Sequence, residues 1–234
     1  MKSMTFSTRL LERIPCVEGV KTFRFERIKK YEFTAGQWFV LTIPEGDGYL
    51  TKHFTHSSSP TEGYVELTTR LTGSQFKNTL DALPVGTEVE IEGPFGDFTL
   101  REGAERVAFL TGGIGITPVR SILRFMADKD DHRAATLFYG NKDSESIVFR
   151  QELESFATHL PDLKVVHVLS DPQSDWEGYR GYVGSEILEA ELGDADGRTY
   201  YVSGPPAMVT AMKDLLKERG VGRREMVLEN FEGY

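Results

Sequence analysis

One short stretch, Thr111-Gly-Gly-Ile-Gly-Ile-Thr-Pro118, constrains the fold of this sequence more than any other. An apolar run at residues 107–110 precedes it and is typical of a buried strand, while residues 119–126 carry apolar side chains at helical spacing. Thr117 suits the N-cap position, and Pro118 suits the first helical position because proline lacks only an N–H that would have no partner there. The stretch therefore predicts a strand, a glycine turn and a helix in succession.

A glycine turn in this context has two interpretations. Glycines let a backbone approach a pyrophosphate closely, and a helix N-terminus offers free N–H groups and the positive end of its dipole. Gly112, Gly113 and Gly115 supply the glycines, although Pro118 stands where the dinucleotide fingerprint has its third glycine. The stretch alone predicts either a phosphate-binding turn or a tight structural turn that binds nothing.

The sequence before about residue 100 has the pattern of an all-β domain. Six short runs rich in Thr, Val, Phe and Tyr are separated by Pro and Gly turns, which predicts a six-stranded antiparallel barrel. The predicted strands cover residues 5–13, 21–26, 37–43, 53–57, 64–70 and 88–92. One helical stretch, residues 74–80, interrupts them.

The sequence after about residue 104 alternates strand-like runs with amphipathic stretches, which predicts a doubly wound, mostly parallel sheet. The predicted strands cover residues 107–110, 136–139, 165–169, 200–202 and 226–228. The predicted helices cover residues 119–127, 146–156, 185–192 and 207–219. A polar stretch between the two patterns divides the chain into a barrel domain of residues 1–102 and an α/β domain of residues 103–234.

Composition narrows the class of protein. Hydrophobic residues make up 39% of the chain and charged residues 27%, which is ordinary for a globular protein. The formal charge of −9 argues against general nucleic-acid binding. The single cysteine, Cys16, leaves neither an internal disulfide nor a cysteine-ligated iron–sulfur cluster, and a reducing cytoplasm is expected. We expect no membrane span, because no apolar run approaches ~20 residues, and no signal peptide.

Three further stretches carry side chains or turns suited to binding. Lys52-His-Phe-Thr55 places a cation, an aromatic ring and a hydroxyl on a predicted strand, where they suit a phosphate and a flat ring, or form an ordinary strand. Gly73-Ser-Gln75 opens the barrel helix, whose N–H groups suit a second phosphate unless Ser74 is a plain N-cap. Gly204-Pro-Pro206 joins a strand to a helix at the carboxyl edge of the sheet, where such sheets bind ligands.

Taken in this order, the motifs resemble the ferredoxin–NADP reductase superfamily, in which a flavin-binding barrel precedes a pyridine-nucleotide domain. The stretch from Lys52 to Thr55 is similar to the family's Arg-x-Tyr-Ser/Thr flavin motif, and the glycine stretch is similar to its nucleotide loop. Three residues depart from the pattern: Lys52 replaces Arg, Phe54 replaces Tyr, and Ser203 stands where many members have Cys. His53 and His56 have no partner at metal-like spacing, so we expect no metal site.

The resemblance implies an NAD(P)H-dependent flavoprotein reductase. Hydride would pass from the nicotinamide to flavin N5, and electrons would then pass to a separate ferredoxin, flavodoxin or oxygenase component. FAD is favoured over FMN, and a monomer is expected. Two alternatives stay open: a flavin reductase that binds its flavin loosely as a substrate, and an electron-transfer subunit of a larger enzyme. Asp171 favours NADH, because a carboxylate there would repel the 2′-phosphate of NADPH, whereas Lys142 and Arg180 would attract it.

The resemblance also assigns site residues. Those implied at the hydride path, as catalytic residues, are Thr55, Ser203 and Glu229. Those implied at the flavin are Lys52, His53, Phe54, Thr55, Thr68, Thr69, Arg70, Gly73, Ser74, Gln75 and Phe231. Those implied at the nucleotide are Gly112, Gly113, Gly115, Thr117, Pro118, Tyr139, Asn141, Gly204, Pro205 and Met208. A basic stretch suits an acidic carrier or is a solvated face; it consists of Lys21, Arg24, Arg27, Lys29 and Lys30.

Overall fold

The computed structural model describes residues 2–193 and 197–231. Its first half is a curled sheet of six antiparallel strands, with one helix between the last two, as predicted. The strands are β1 (Met4–Val17), β2 (Val20–Glu26), β3 (Trp38–Glu45), β4 (Gly48–Thr55), β5 (Tyr64–Arg70) and β6 (Glu88–Phe95). Helix α1 (Gln75–Ala82) lies between β5 and β6.

The strands of this sheet follow the order β4-β3-β6-β1-β2-β5, so β4 and β5 are its edges. The chain that continues from β4 approaches β5, because the Ser57 N–H donates to the Glu66 carbonyl over 2.8 Å. The sheet thereby curls into a half-barrel. Alternate side chains of its strands point inwards and form an apolar core, which includes Phe23, Phe39 and Ile91.

The second half is a six-stranded parallel sheet with helices on both faces. Its strands are β7 (Arg106–Gly112), β8 (Ala134–Asn141), β9 (Leu163–Leu169), β10 (Tyr179–Arg180), β11 (Thr199–Gly204) and β12 (Met226–Asn230), in the order β10-β9-β8-β7-β11-β12. Its helices are α2 (Ile116–Asp128), α3 (Arg150–His159), α4 (Ser185–Leu192) and α5 (Pro206–Glu218). This arrangement confirms the predicted doubly wound sheet.

The pleat of β7 explains the two layers of helices. Val107 and Phe109 join the apolar cluster under α2 and α3, whereas Ala108 and Leu110 join the cluster under α4 and α5. Because successive side chains of a strand point to opposite faces, an unbroken apolar run is what a doubly covered central strand needs. The strand order reverses between β7 and β11, which makes the carboxyl ends of these two strands the expected binding edge.

Two helix starts differ from the sequence predictions. Helix α2 begins at Ile116, after a 3₁₀ turn over Gly113–Gly115, so Thr117 is not the N-cap and Pro118 is the third helical residue. Pro118 is tolerated there because the first N–H groups of a helix have no intrahelical partner. Helix α3 begins only at Arg150, because Phe149 has a left-handed backbone with φ of 61°.

Two strand predictions also differ. Strand β4 covers Gly48–Thr55 rather than residues 53–57, because its whole length pairs with β3, from Glu45 with Gly48 to Trp38 with Thr55. Strand β10 has two residues and was missed, because so short a segment carries no alternation.

The two halves pack closely against each other. Phe98, in the connection after β6, contacts Tyr201 of β11 edge-on with ring centroids 5.5 Å apart. Gly36 of the barrel fits between the Phe98 carbonyl and Ile122 of α2, so a side chain there would clash. The predicted boundary at residue 102 falls in the connection between β6 and β7, and it stays a prediction. Over residues 2–193 and 197–231, no helix is both long and apolar enough to cross a bilayer.

Candidate functional site

The larger of two cavities at the junction lies over the carboxyl edge of the parallel sheet. We call it the nucleotide-side cavity, and its volume is ≈ 670 Å³. Its wall includes the turn after β7, the end of β8, the start of α5 and one barrel residue. The residues that line this cavity include Arg70, Gly112, Gly113, Gly140, Asn141, Lys142, Ser170, Tyr182, Pro205 and Met208.

The three glycines of the turn after β7 serve different purposes. Gly113 has φ of +52° and a Cβ added to it would meet nothing within 4 Å, so its backbone is accessible to an approaching ligand. A Cβ on Gly112 would lie 2.5 Å from Met208 Sδ, and one on Gly115 would lie 2.5 Å from the Ser203 carbonyl oxygen. Gly113 therefore leaves space for a ligand, whereas Gly112 and Gly115 let the turn pack against α5 and β11.

Buried hydroxyls hold this turn in shape. The Tyr139 hydroxyl donates to the Gly113 carbonyl over 3.0 Å, and burial raises its pKa, so it stays a donor. Ser203 Oγ donates to the Gly115 carbonyl over 2.8 Å and lies 3.3 Å from Thr111 Oγ1. Ser203 is fully buried and makes these bonds with the turn; its predicted place beside the nicotinamide stays a prediction. Thr117 is buried as well.

The second cavity, the flavin-side cavity, has a volume of ≈ 560 Å³ and both halves of the chain build it. The barrel contributes Trp38, Lys52, His53, Phe54 and Thr55, and the connection after β6 contributes Gly96, Asp97 and Phe98. The α/β half contributes residues 227–231 from β12 and its end. The structure thus brings together Lys52, His53, Phe54, Thr55, Glu229 and Phe231, which the resemblance places at the flavin and the hydride path.

One hydrogen bond crosses this cavity from one half to the other. Thr55 Oγ1 donates to Glu229 Oε1 over 3.2 Å. Burial raises the pKa of the Glu229 carboxyl to about 7, although the bond from Thr55 works in the opposite direction. Glu229 therefore changes its protonation state near neutral pH, directly beside the hydroxyl that the motif places in the site.

The remaining side chains of the flavin motif have distinct surroundings. Phe54 is 5% exposed, and its ring lies 5.5 Å from the Phe76 ring of α1, so it is both a core residue and a cavity wall. His53 is exposed and lies edge-on to Trp38. His56 is buried between the Tyr31 hydroxyl, 2.9 Å from Nε2, and the Gln37 carbonyl, 2.7 Å from Nδ1. Burial lowers its pKa to about 3, which makes it a neutral core histidine.

Several predicted flavin residues lie outside the flavin-side cavity. Thr68 and Thr69 are buried within the barrel, and Thr68 Oγ1 donates to Ser57 Oγ over 3.0 Å. Gly73, Ser74 and Gln75 are exposed at the start of α1, where Ser74 makes no side-chain cap bond. Arg70 lines the nucleotide-side cavity instead.

Sequence reasoning missed two residues near these sites. Lys77 lies within α1 and is buried; burial together with nearby Lys52 and Arg70 lowers its pKa to about 8. These three cations form a positive cluster on the barrel. Tyr182 lines the nucleotide-side cavity and is 83% exposed. The sequence signal that was available was an aromatic residue directly after Gly181.

The basic stretch does not form an open patch. Lys21 pairs with Asp81 over 2.6 Å, Arg24 pairs with Glu66 over 2.8 Å, and Arg27 donates to the Pro60 and Glu62 carbonyls. These three cations thus have partners within the barrel, and docking of an acidic carrier on this stretch stays a prediction. Lys29 and Lys30 remain exposed.

Two family models match the chain, one on each half. The oxidoreductase FAD-binding domain matches residues 7–100, and the oxidoreductase NAD-binding domain matches residues 109–214. The chain is 29% identical over 222 residues to the glycine betaine monooxygenase reductase subunit of Chromohalobacter salexigens, a match that covers 91% of this chain and 60% of that protein. It is 29% identical over 238 residues to ferredoxin–NADP reductase B of Sorangium cellulosum, covering 97% and 98% respectively.

The fold is shared with solved structures as well. A ferredoxin NADP⁺ reductase from Neisseria gonorrhoeae, solved with bound FAD and NADP, superposes with a TM-score of 0.83 at 20% identity, over 97% of this chain and 98% of that one. The likeness extends through both halves, from the antiparallel half-barrel to the doubly wound sheet. The chain therefore belongs to the ferredoxin–NADP reductase superfamily, with an FAD-binding domain followed by an NAD-binding domain.

Proposed function

We propose that this chain is an NAD(P)H-dependent FAD reductase that passes electrons to a separate protein acceptor. The observation that carries the proposal is the flavin-side cavity, which is complete only where Thr55 of the barrel meets Glu229 of the α/β half. The nucleotide-side cavity adjoins the same junction, and Arg70 of the barrel lines it. A cofactor held by one half thus faces a nucleotide held by the other.

The flavin-side residues fit a flavin by their chemistry. Phe54 and Trp38 offer aromatic surface, Thr55 offers a hydroxyl to a ring heteroatom, and Lys52 offers a cation to a phosphate. The bound flavin supplies the redox chemistry, because it accepts a hydride and releases electrons one at a time. Glu229 Oε1 accepts from Thr55, so its protonation sets whether that hydroxyl donates to the carboxylate or to the ring.

The nucleotide-side residues fit a pyridine nucleotide in the same way. The accessible backbone at Gly113 and the N-terminal turn of α2 suit a pyrophosphate, while Arg70 and Lys142 supply positive charge at the cavity wall. Asn141 lies at the end of β8 and offers an amide to a ribose. Tyr182 offers an exposed ring for stacking on a flat base.

The contacts around Asp171 support a preference for NADH. Lys142 Nζ lies 4.0 Å from Asp171 Oδ2, and one guanidinium nitrogen of Arg180 donates to the Gln173, Ser174 and Trp176 carbonyls. Arg180 is therefore held by backbone carbonyls, and Lys142 lies beside the carboxylate of Asp171. A carboxylate at residue 171 would repel that phosphate.

The acceptor is proposed from the kinds of protein that the chain resembles. Relatives are named as a reductase subunit of a monooxygenase and as a ferredoxin–NADP reductase. The sequence has one cysteine, which cannot hold an iron–sulfur cluster, so we propose an oxygenase component, ferredoxin or flavodoxin as a separate acceptor. We propose a monomer that works in the reducing cytoplasm, where Cys16 stays a thiol.

An absorbance spectrum of the purified protein, followed by anaerobic titration with NADH and then NADPH, tests the proposal. A flavin that stays bound through gel filtration and is bleached by either nucleotide supports it. Flavin that is lost on dilution, with reduction of added free flavin, would indicate the flavin reductase instead. Bound flavin that neither nucleotide reduces would indicate an electron-transfer subunit.

A further inference from the structure

A buried arginine joins the two halves of the molecule. Arg120 lies one turn into α2, five residues after Gly115, and its side chain is 5% exposed. It binds Glu62 of the barrel half through Nη1 at 2.5 Å and Nη2 at 3.1 Å. It binds Glu152 of α3 through Nε at 2.9 Å and Nη2 at 2.5 Å. One planar guanidinium thus binds a carboxylate in each half of the molecule.

The same helix also forms hydrogen bonds with the backbone that follows the flavin motif. Arg120 Nη1 donates to the Ser57 carbonyl over 2.9 Å, and the neighbouring Ser121 Oγ donates to the Ser58 carbonyl over 2.6 Å. These carbonyls follow Thr55 by two and three residues. Helix α2 is therefore pinned to the chain that leaves the flavin-side cavity.

The electrostatics of this network favour one arrangement of the halves. Burial opposes the charge of Arg120, yet its hydrogen bonds to Glu152 and Glu62 raise its pKa. Burial likewise opposes the charge of Glu62, yet Arg120 lowers the pKa of that carboxyl. Buried ionic networks often add little stability over apolar packing, but losing one partner strands a buried charge, so few alternative placements of α2 are tolerated.

We propose that Arg120 is a positioning residue for hydride transfer. This inference rests on the proposed function. Helix α2 begins at the nucleotide turn, and Arg120 lies about 7.5 Å along it from Gly115. Because hydride transfer needs reacting atoms about 3–3.5 Å apart, the link from Arg120 to Glu62 and Ser57 sets the rate by fixing the nucleotide turn relative to the flavin motif.

The test compares three variants of the FAD-loaded protein that each remove one charge of the network: Arg120→Gln, Glu62→Gln and Glu152→Gln. The measurement is the limiting rate of flavin bleaching by saturating NADH in anaerobic stopped flow. We expect a loss of about 10-fold or more for Arg120→Gln and a smaller loss for Glu62→Gln. Glu152→Gln should stay within about twofold, because Glu152 belongs to the same half as Arg120.

Separate readouts distinguish positioning from folding or binding. The dissociation constants of FAD and of NAD⁺ should change by less than about twofold. The long-wavelength absorbance that a nicotinamide and a flavin share when stacked should weaken in Arg120→Gln and Glu62→Gln. Arg120→Lys should recover only part of the rate, because an ammonium cannot bind two carboxylates in a fork.

Arg150→Gln is the matched control, since it removes another arginine–glutamate pair, Arg150 with Glu154 at 3.1 Å, on the exposed face of α3. Its rate should equal that of the wild type. An unchanged limiting rate in Arg120→Gln and Glu62→Gln, even with a lower Tm, would overturn the proposal, as would a weaker NAD⁺ affinity at an unchanged rate. If Arg120→Gln does not fold, Glu62→Gln decides. A wild-type flavin that NADH and NADPH both fail to bleach would reject the proposed function instead.

Discussion

The two cavities at the junction are built by opposite means. The nucleotide-side cavity depends on side chains that are absent, at Gly112, Gly113 and Gly115. The flavin-side cavity depends on side chains that are present and that come from distant parts of the chain, since Thr55 and Glu229 are 174 residues apart. The first should therefore be sensitive to added atoms, and the second to removed ones.

This difference also bears on how each site keeps its shape. The glycine turn is held from within its own half by Tyr139 and Ser203. Glu229 is held by the pairing of β12 with β11, but the flavin-side cavity also needs the two halves to stay together, because Thr55 lies in the barrel. Four substitutions test this difference between the two cavities.

The largest effect should follow from Gly115→Val. A side chain there would lie 2.5 Å from the Ser203 carbonyl oxygen and 2.7 Å from Gly204 Cα, both of them backbone atoms that cannot move aside cheaply. We expect kcat/KM for NADH to fall about 100-fold or more while bound flavin is retained. Gly48→Val is the control, since its added Cβ meets only the Glu45 carbonyl at 3.7 Å. Wild-type kinetics in Gly115→Val would show that the turn does not shape the nucleotide site.

The second-largest effect should follow from removing the Phe54 ring from the wall of the flavin-side cavity. Phe54→Ala should raise the dissociation constant of FAD about 10-fold or more, because aromatic stacking contributes roughly 1–3 kcal/mol. The contact with Phe76 predicts a loss of stability too, so the titration belongs well below the Tm of the variant. Phe54→Tyr keeps the ring and should bind FAD as the wild type does. Equal FAD affinity in Phe54→Ala would remove Phe54 from the site.

A pH-dependent effect should follow from Glu229→Gln in the flavin-free protein. Burial raises the pKa of Glu229 to about 7 from 4.5, so the folded state holds a proton that the unfolded state has released. The contribution of Glu229 to the free energy of unfolding is therefore fully present below pH 4.5. It decreases by up to about 3 kcal/mol as the pH rises towards 7.

Glu229→Gln should remove this loss. The free energy of unfolding of the variant, relative to that of the wild type, should therefore increase between pH 4.5 and 7 and stay constant above pH 7. Denaturant unfolding at several pH values measures it. Glu90→Gln, on the exposed face of β6, is the control. If the difference in free energy of unfolding between Glu229→Gln and the wild type does not change with pH, the raised pKa of Glu229 is contradicted.

The smallest effect should follow from Asp171→Arg. Replacing a carboxylate by a guanidinium should shift the ratio of kcat/KM for NADH over NADPH towards NADPH about fivefold, since a like-charge contact costs about 1 kcal/mol. Asp175→Arg makes the same charge change at an exposed site nearby and should leave the ratio unchanged. A wild-type preference for NADPH, or no shift in the variant, would place residue 171 away from the ribose.

Local patterns predicted much of the fold because they reflect local causes. Residues 107–110 are all apolar because β7 is covered on both faces, and this is visible in the sequence. The start of α2 was misplaced because the 3₁₀ turn at Gly113 begins the helical path earlier than Thr117 suggests. Phe149 delays the start of α3 to Arg150 by adopting a left-handed backbone, which its residue type does not indicate.

The parts that could not be predicted depend on distant contacts. Arg120 reads as an ordinary polar position of an amphipathic helix, and only the folded chain shows Glu62, 58 residues away, on the other side of it. The basic stretch reads as a patch because its partners, Asp81 and Glu66, lie elsewhere in the sequence. Residue type gives the charge of a side chain, but only tertiary structure gives its partner.

The strand order of the barrel has a consequence for the order in which the protein can assemble during synthesis. Strand β6 lies between β3 and β1, so the hairpin β3–β4 cannot join the sheet of β1, β2 and β5 until residues 88–95 leave the ribosome. The flavin-side cavity waits longer still, because its wall includes residues 227–231. A ribosome that stalls within α5 would hold a chain whose barrel strands are all present but whose flavin-side cavity lacks one side. The flavin-side cavity is thus completed well after the six barrel strands have been synthesised.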